Sequence, residues 1–394
     1  MKFAVLSRIL VVAVAGAPPV MAQGHQAPAG LAELETRAQQ DSLDARVLYT
    51  LAMAYDSLRR WSDEERVLHQ VLAIDPHYAP AYLGLGLLPY ARRAKLWEEE
   101  AKGKVPESWR AALDSAHRRF REAFLLDPLV DFRIPGTEAP PEQIWSIPDY
   151  GRATTRFLLV LGIAGFGVGR YELSYDALRQ WAERRFQNLP IDSVPDFLFW
   201  YRGLAAAHLR AWDKAVSDFE VLLARSTKQE RSDSLIFIPL QTNDYRYVLA
   251  VLKQHARRVA DAAALYQEAL ANDLGLFMAH VQLARMYRDF QQWDQAVEEA
   301  RRAVQANPDD PALLVDLGMI LREGGRLAEA EEVLGRAEAA NPRNAEVPYA
   351  LGMVRQQLGH RAEARTAFTR FVQIAPSRFA AQVADARQRL STLQ

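Results

Sequence analysis

Acid–base or metal chemistry in this chain would fall first to its eight histidines, His25, His69, His77, His117, His208, His255, His280 and His360. A hydrolytic zinc helix places two histidines four residues apart with a glutamate beside them, so that both imidazoles share one face. No two histidines here stand at that spacing. The carboxylate pairs Glu98-Glu99 and Asp309-Asp310 read as an exposed helix surface and as the polar start of a helix, and a general acid would need burial to raise its pKa. Gly165, Gly167 and Gly169 lie close together, but a dinucleotide loop needs G-x-G-x-x-G between a strand and a helix, and a P-loop needs a trailing Lys and Ser or Thr. Neither context is present, so these glycines read as places of close helix approach or turning. There is no G-x-S-x-G elbow and no calcium loop. The absence of cysteine removes a thiolate metal site, a cysteine nucleophile, a disulfide framework and a lipid-modified amino-terminal cysteine. The expectation is a chain with no catalytic residue, no metal and no cofactor.

Charge argues in the same direction. With 48 Lys and Arg against 49 Asp and Glu, the net charge is −1, and the Arg-Arg pairs are scattered among acids rather than gathered into a basic block. Nucleic acid is therefore not an expected partner. At 49% hydrophobic residues the chain can bury a sizeable core. Lys2 and Arg8, the apolar run Ile9 to Ala17 and the small-residue pattern Val20-Met21-Ala22 form a signal peptide over residues 1–22, with Gln23 first after cleavage. That apolar run is shorter than the roughly 20 residues of a membrane span. The expected location is the periplasm or outside the cell, with no membrane span after cleavage.

Positioning such a chain falls to helices. A linker over residues 23–30 precedes a helix over 31–39, then an antiparallel hairpin carrying Leu48, Leu51, Ala52, Tyr55, Leu68 and Val71 and ending at Pro76. A second unit runs from Ala79 to Pro128 and holds an inserted loop near residues 94–107. These N-terminal units span residues 31–128. Residues 129–195 combine a Pro-rich stretch (Pro135, Pro140, Pro141, Pro148) with a degenerate helical repeat over Phe157 to Gly169 and its partner carrying Tyr175 and Trp181. The array over residues 196–376 is interrupted by an extended connector from Ser226 to Asn243. Residues 377–394 are an amphipathic capping helix with Arg378, Arg387 and Arg389 on polar positions.

Pro308, Pro342 and Pro376 recur at intervals of 34 residues, and so do Leu283-Ala284, Leu317-Gly318 and Leu351-Gly352, and Ala296, Ala330 and Ala364. A fixed period of this size means stacked copies of one supersecondary unit. The unit resembles the tetratricopeptide repeat, most closely over Phe277 to Pro376 and Ala45 to Pro76. Arg202 departs from it by standing where the repeat usually wants leucine. The resemblance implies an all-α, right-handed superhelical solenoid of antiparallel helix pairs, about seven units in all, with irregular insertions. It also implies an inner groove, lined by first helices, that holds peptides or partner proteins. One groove subtype clamps a terminal carboxylate with Lys, Asn and Arg; the matching inner positions here are Val281, Arg285, Val315, Met319, Tyr349 and Met353, so that activity is not carried over.

Two residues along an α-helix is a rotation of about 200°, so the residue two past each seam leucine points away from the seam. Met53, Met319 and Met353 follow Leu51, Leu317 and Leu351 in this way, Arg285 follows Leu283, and Met278 shares the face. Methionine is flexible, polarisable and over-used on adaptable binding surfaces. With Arg288, Arg322 and Tyr349, these are the candidate groove residues; the plain structural reading is that the methionines fill gaps between neighbouring first helices. The expected function is a non-enzymatic envelope scaffold for a protein or peptide partner. The alternative is a small-molecule or glycan pocket built on Trp145, Tyr150, Tyr171 and Trp181 in residues 129–195.

Overall fold

A small residue in the first helix of each pair and a bulky one in the second set how closely the two can lie. In the computed structural model, which describes residues 30–93, 96, 100, 103–131, 154–228 and 240–393, a Cβ placed on Gly318 would sit 2.6 Å from Leu334 and one on Gly352 2.6 Å from Phe368. The same meeting recurs upstream, where Gly162 faces Leu178 at 2.5 Å and Gly203 faces Phe219 at 3.0 Å. In each of these pairs the bulky partner lies sixteen positions on. The fixed offset makes the helices antiparallel and locks their register, since at 2.5–2.6 Å no side chain could replace the hydrogen without a shift. The expected signal peptide, Trp145, Tyr150 and the Leu235-Ile236-Phe237-Ile238 run lie outside the described residues.

Eighteen α-helices have described bounds, and no strand occurs among the described residues. The chain divides into two compact units, one built from residues 56–61 and 82–265, the other from 27–55, 62–81 and 266–394. The first contains α4 (Ala79–Arg92) from Tyr82 onward, α5 (Glu107–Leu126), α6 (Thr155–Gly167), α7 (Tyr171–Phe186), α8 (Asp196–His208), α9 (Trp212–Ser226) and α10 (Thr242–His255). Here α6 packs on α7, α7 on α8, α8 on α9 and α9 on α10. Residues 155–186, a poor match to the repeat in sequence, thus form an ordinary helix pair. Of the glycines around it, Gly162 makes the close approach, whereas Gly169 turns the chain at φ +74°. Before α5, Glu100 accepts from the Tyr90 hydroxyl and pairs with His117 Nε2, both at 2.8 Å.

In the second unit, α12 (Phe277–Asp289) and α13 (Trp293–Ala306), α14 (Pro311–Glu323) and α15 (Leu327–Ala340), and α16 (Glu346–Leu358) and α17 (Arg361–Ile374) stack in chain order, and α18 (Ala380–Thr392) closes the stack on α17. Their core runs through Ala284, Leu317, Leu321, Leu334, Val347 and Leu351, and then through Phe368, Phe371, Ala386 and Leu393 under the cap. The unit also contains α1 (Leu31–Gln40) and most of α2 (Ala45–Ser57) and α3 (Trp61–Ile74), with α11 (Val259–Asn272) joining it at Tyr266.

The turn inside each pair has one form. At Gly325 and Gly359 the backbone is left-handed, and the next residue's N–H returns to a carbonyl five positions back, from Arg326 to Leu321 at 2.9 Å and from His360 to Arg355 at 2.8 Å. This closes the first helix by satisfying its orphaned carbonyls. Gln291, Arg257, Arg210 and Arg59 occupy the same left-handed conformation without being glycine.

Candidate functional site

The first helices of the second unit carry most of the predicted groove residues, and the structure connects them from one helix to the next. Arg285 on α12 reaches Asp316 on α14, Nη2 to Oδ2 at 3.2 Å. Arg322 on α14 lays Nη1 3.9 Å from the sulfur of Met353 on α16. Tyr349 on α16 donates its hydroxyl to Asp385 Oδ2 on α18 at 2.8 Å, and Arg389 Nε shares that oxygen at 2.6 Å. Each link joins residues 31 to 36 positions apart, close to one repeat length, so a single face of the helices is being stitched along the stack.

Met319 is half-buried against the aliphatic core, Met353 is half-buried beside Tyr349 and Phe368, and Met278 is fully buried. A hollow of about 30 Å³, room for a water molecule or two, opens between α12 and α14 where Val281, Arg285, Arg288, Asp316 and Met319 meet. Arg288 pairs with Asp289 at 3.2 Å. Met53, on α2, is half-buried. The structure therefore brings Arg285, Arg288 and Met319 around one hollow and sets Arg322, Tyr349 and Met353 beyond it, while Met278 contributes to the core rather than to a surface.

The electrostatics of this face are those of paired charges. Arg285, Arg288, Arg322 and Arg389 each meet a carboxylate, from Asp316, Asp289, Glu323 and Asp385. Burial, then the hydrogen bond to Asp385, pushes the Tyr349 phenol up. The Arg389 hydrogen bond holds Asp385 below the usual carboxylate range, even though partial burial opposes it. One donor stands apart: Arg322 Nε is buried and has no hydrogen-bond acceptor. Such a surface offers thioether, aliphatic stem and guanidinium rather than a nucleophile. Among the described residues no group of three or more His, Cys, Asp or Glu is placed to hold a metal ion.

Of the alternative aromatic set, Trp181 is buried against Phe186 and Phe197. Tyr171 donates its hydroxyl to Asp131, and its ring is stacked on His208 with centroids 3.8 Å apart. Trp145 and Tyr150 lie outside the described residues.

Sequence reasoning missed two imidazole–carboxylate pairs, one buried and one half-buried. His280 Nδ1 meets Glu299 Oε2 at 2.6 Å between α12 and α13, and Arg302 covers the other oxygen of Glu299 at 2.8 Å. His77 Nε2 meets Asp310 Oδ2 at 2.6 Å. The first could have been sought from the antiparallel register, since the two residues sit 19 apart. The second spans 233 positions and leaves no local signal.

Stacked antiparallel pairs, a small residue meeting a bulky one sixteen positions on, and a 34-residue step agree with a tetratricopeptide-repeat family profile that matches residues 287–352. Residues 287–352 of this chain are tetratricopeptide repeats. The tetratricopeptide-repeat match spans the end of α12 through the first half of α16. Solved structures similar to it include MamA from AMB-1, at TM-score 0.36 and 21% identity over 47% of this chain and 96% of that one. The C-terminal part of a TPR repeat-containing protein from Cytophaga hutchinsonii gives TM-score 0.48 and 11% identity over 61% and 87% of the two chains. Yeast Tom70 gives TM-score 0.41 and 13% identity over 92% of each. No curated protein sequence matches the chain significantly. No described helix is long and apolar enough to cross a membrane.

Proposed function

We propose that this protein is a non-enzymatic scaffold that holds a partner protein or peptide on the first-helix face of its C-terminal repeats. The observation that carries the proposal is the strip from Arg285 through Met319 and Arg322 to Met353, where half-buried thioethers alternate with guanidinium groups on successive helices. Methionine repacks around differing apolar side chains. Because the arginines are already paired with neighbouring carboxylates, selection on this strip rests on shape and apolar contact more than on net charge.

The partner is sought by pull-down from an envelope extract with wild type and a Met319→Glu, Met353→Glu double variant. The two carboxylates placed on the strip are expected to reduce recovery of the specific partner at least tenfold, and unchanged recovery would refute this placement. The proposed setting is the cell envelope, on the strength of Lys2, Arg8, the Ile9 to Ala17 run and the Ala22 cleavage pattern. Fractionation with amino-terminal sequencing tests it, the expected mature end being Gln23.

A further inference from the structure

Three successive inter-repeat turns of the second unit grip the amino-terminal helices. Asp310, in the turn before α14, binds His77. Asn341, in the next turn, donates Nδ2 to the carbonyls of Ala73 and Ile74 at 3.3 and 3.4 Å, meeting the exposed end of α3. Ser377, in the turn after α17, offers its N–H and hydroxyl to the two oxygens of Asp41 at 3.3 and 3.1 Å. The Phe277 ring lies against the His77 imidazole with centroids 6.0 Å apart. Polar groups that could as well face water are thus engaged in holding residues 41 to 77, and the one contact in the row that can change charge near neutral pH is His77.

We infer that the helices α1 to α3 are a detachable clasp on the C-terminal repeats, and that the His77–Asp310 pair is its proton-operated latch.

The surroundings of His77 favour its cationic form. Asp75 faces it from its own turn and Asp310 and Asp316 from α14; behind them Glu346, whose carboxyl burial pushes up, senses Arg378, Asp75 and Asp316. Tyr78 beside it feels Arg46, Asp75, Asp44 and Arg378. Burial alone would lower the imidazole, but the hydrogen bond and charge of Asp310, with Asp316 and Asp75 behind it, raise it above its ordinary value. Closure therefore binds the proton more tightly. Its full strength is present below the ordinary imidazole value of about 6.5 and is lost as pH rises through the raised value. Each unit of that rise multiplies the closed-to-open ratio about tenfold between the two protonation states. Asp310 also caps α14, accepting from Ala312 N–H at 3.0 Å, so the latch is anchored to a rigid helix end.

The chain has no cysteine, so Ser42→Cys and Arg343→Cys, both at exposed positions, give one spin-label pair across the clasp. The full-length protein is measured by pulsed dipolar spectroscopy at pH 6 and pH 8. The short-distance population is expected to fall on going to pH 8, to be equal at the two pH values in His77→Gln, and to be reduced at both with its pH response intact in Asn341→Ala. Asp310→Asn keeps the helix cap but removes the charge, and is expected to abolish the response in a folded protein even where His77→Gln misfolds. A distance distribution in wild type that does not change with pH, or a response that survives in both latch variants, would overturn the proposal.

Discussion

The pairs α6–α9 and α14–α17 are built with the same device and read very differently in sequence. In both, a first-helix glycine accepts a bulky side chain sixteen positions on, Leu178 and Phe219 in the upstream set, Leu334 and Phe368 in the downstream one. Around that contact the two regions diverge. Downstream, the residue before the glycine is Leu317 or Leu351, buried in an aliphatic core. Upstream, the buried Leu161 keeps that place before Gly162, but before Gly203 Arg202 stands there and forks onto the buried Asp218, at 2.9 and 2.5 Å. Close by, Arg225 binds Asp196 and the carbonyls of Val194 and Ile191, fastening the single turn Ile191–Ser193 to the start of α8. The difference teaches that the repeat needs its small-to-large contact and tolerates a polar replacement of its flank, provided that the replacement is paired.

That comparison is broken most severely at Arg202. Restoring the leucine of the regular units, Arg202→Leu, leaves the Asp218 carboxylate buried without a partner, and the expected loss is about 3 kcal/mol. Arg202→Leu with Asp218→Leu should recover most of it, and chemical denaturation of the two variants distinguishes a pairing requirement from a requirement for arginine itself. Burial, opposed by Arg202, already raises the Asp218 carboxyl.

A smaller effect sharpens the shared contact. Gly352→Ala drives a methyl to 2.6 Å from the Phe368 ring and should cost about 2 kcal/mol, whereas Gly203→Ala meets Phe219 at 3.0 Å and should cost nearer 1 kcal/mol. Gly335, on the outside of α15 with nothing within 4 Å of an added Cβ, is the control, and Gly335→Ala should stabilise by roughly 0.5 kcal/mol through helix propensity. Thermal melts that failed to rank the three in this order would remove the seam from the explanation.

The smallest effect lies at the cap. Asp385→Asn removes the charge that Arg389 and Tyr349 share, at a partly exposed site, and should cost about 0.5 kcal/mol at neutral pH. Because the folded carboxyl is held low, its contribution is present above the ordinary Asp value of about 3.9 and fades as pH falls through the lower folded value. Wild-type and variant stabilities should therefore converge towards pH 3.

The downstream units were legible because the 34-residue recurrence of Pro308, Pro342 and Pro376 marks where each second helix stops, and one supersecondary unit per period is the economical reading. Arg202 was visible as a departure but not as half of a pair, since Asp218 becomes its partner only once the sixteen-residue offset of the seam is known. The glycines near residue 165 were read as a group, whereas packing separates them: Gly162, outside that group, accepts Leu178, and Gly169 turns the chain. The grip of Asp310, Asn341 and Ser377 on residues 41 to 77 was illegible, because no local pattern links positions more than 200 apart.

The left-handed turns have a consequence for how the array can change. Glycine holds that conformation at Gly169, Gly325 and Gly359, but Arg59, Arg210, Arg257 and Gln291 hold it with a Cβ, at φ between 57° and 61°. A left-handed residue other than glycine carries a steric penalty of about 1 kcal/mol or more. Four positions away from the first-helix strip thus keep a reserve that single codon changes to glycine could release, enough to offset a costly substitution on the strip itself. Divergence towards new partners is in this sense underwritten by turns that touch none of them.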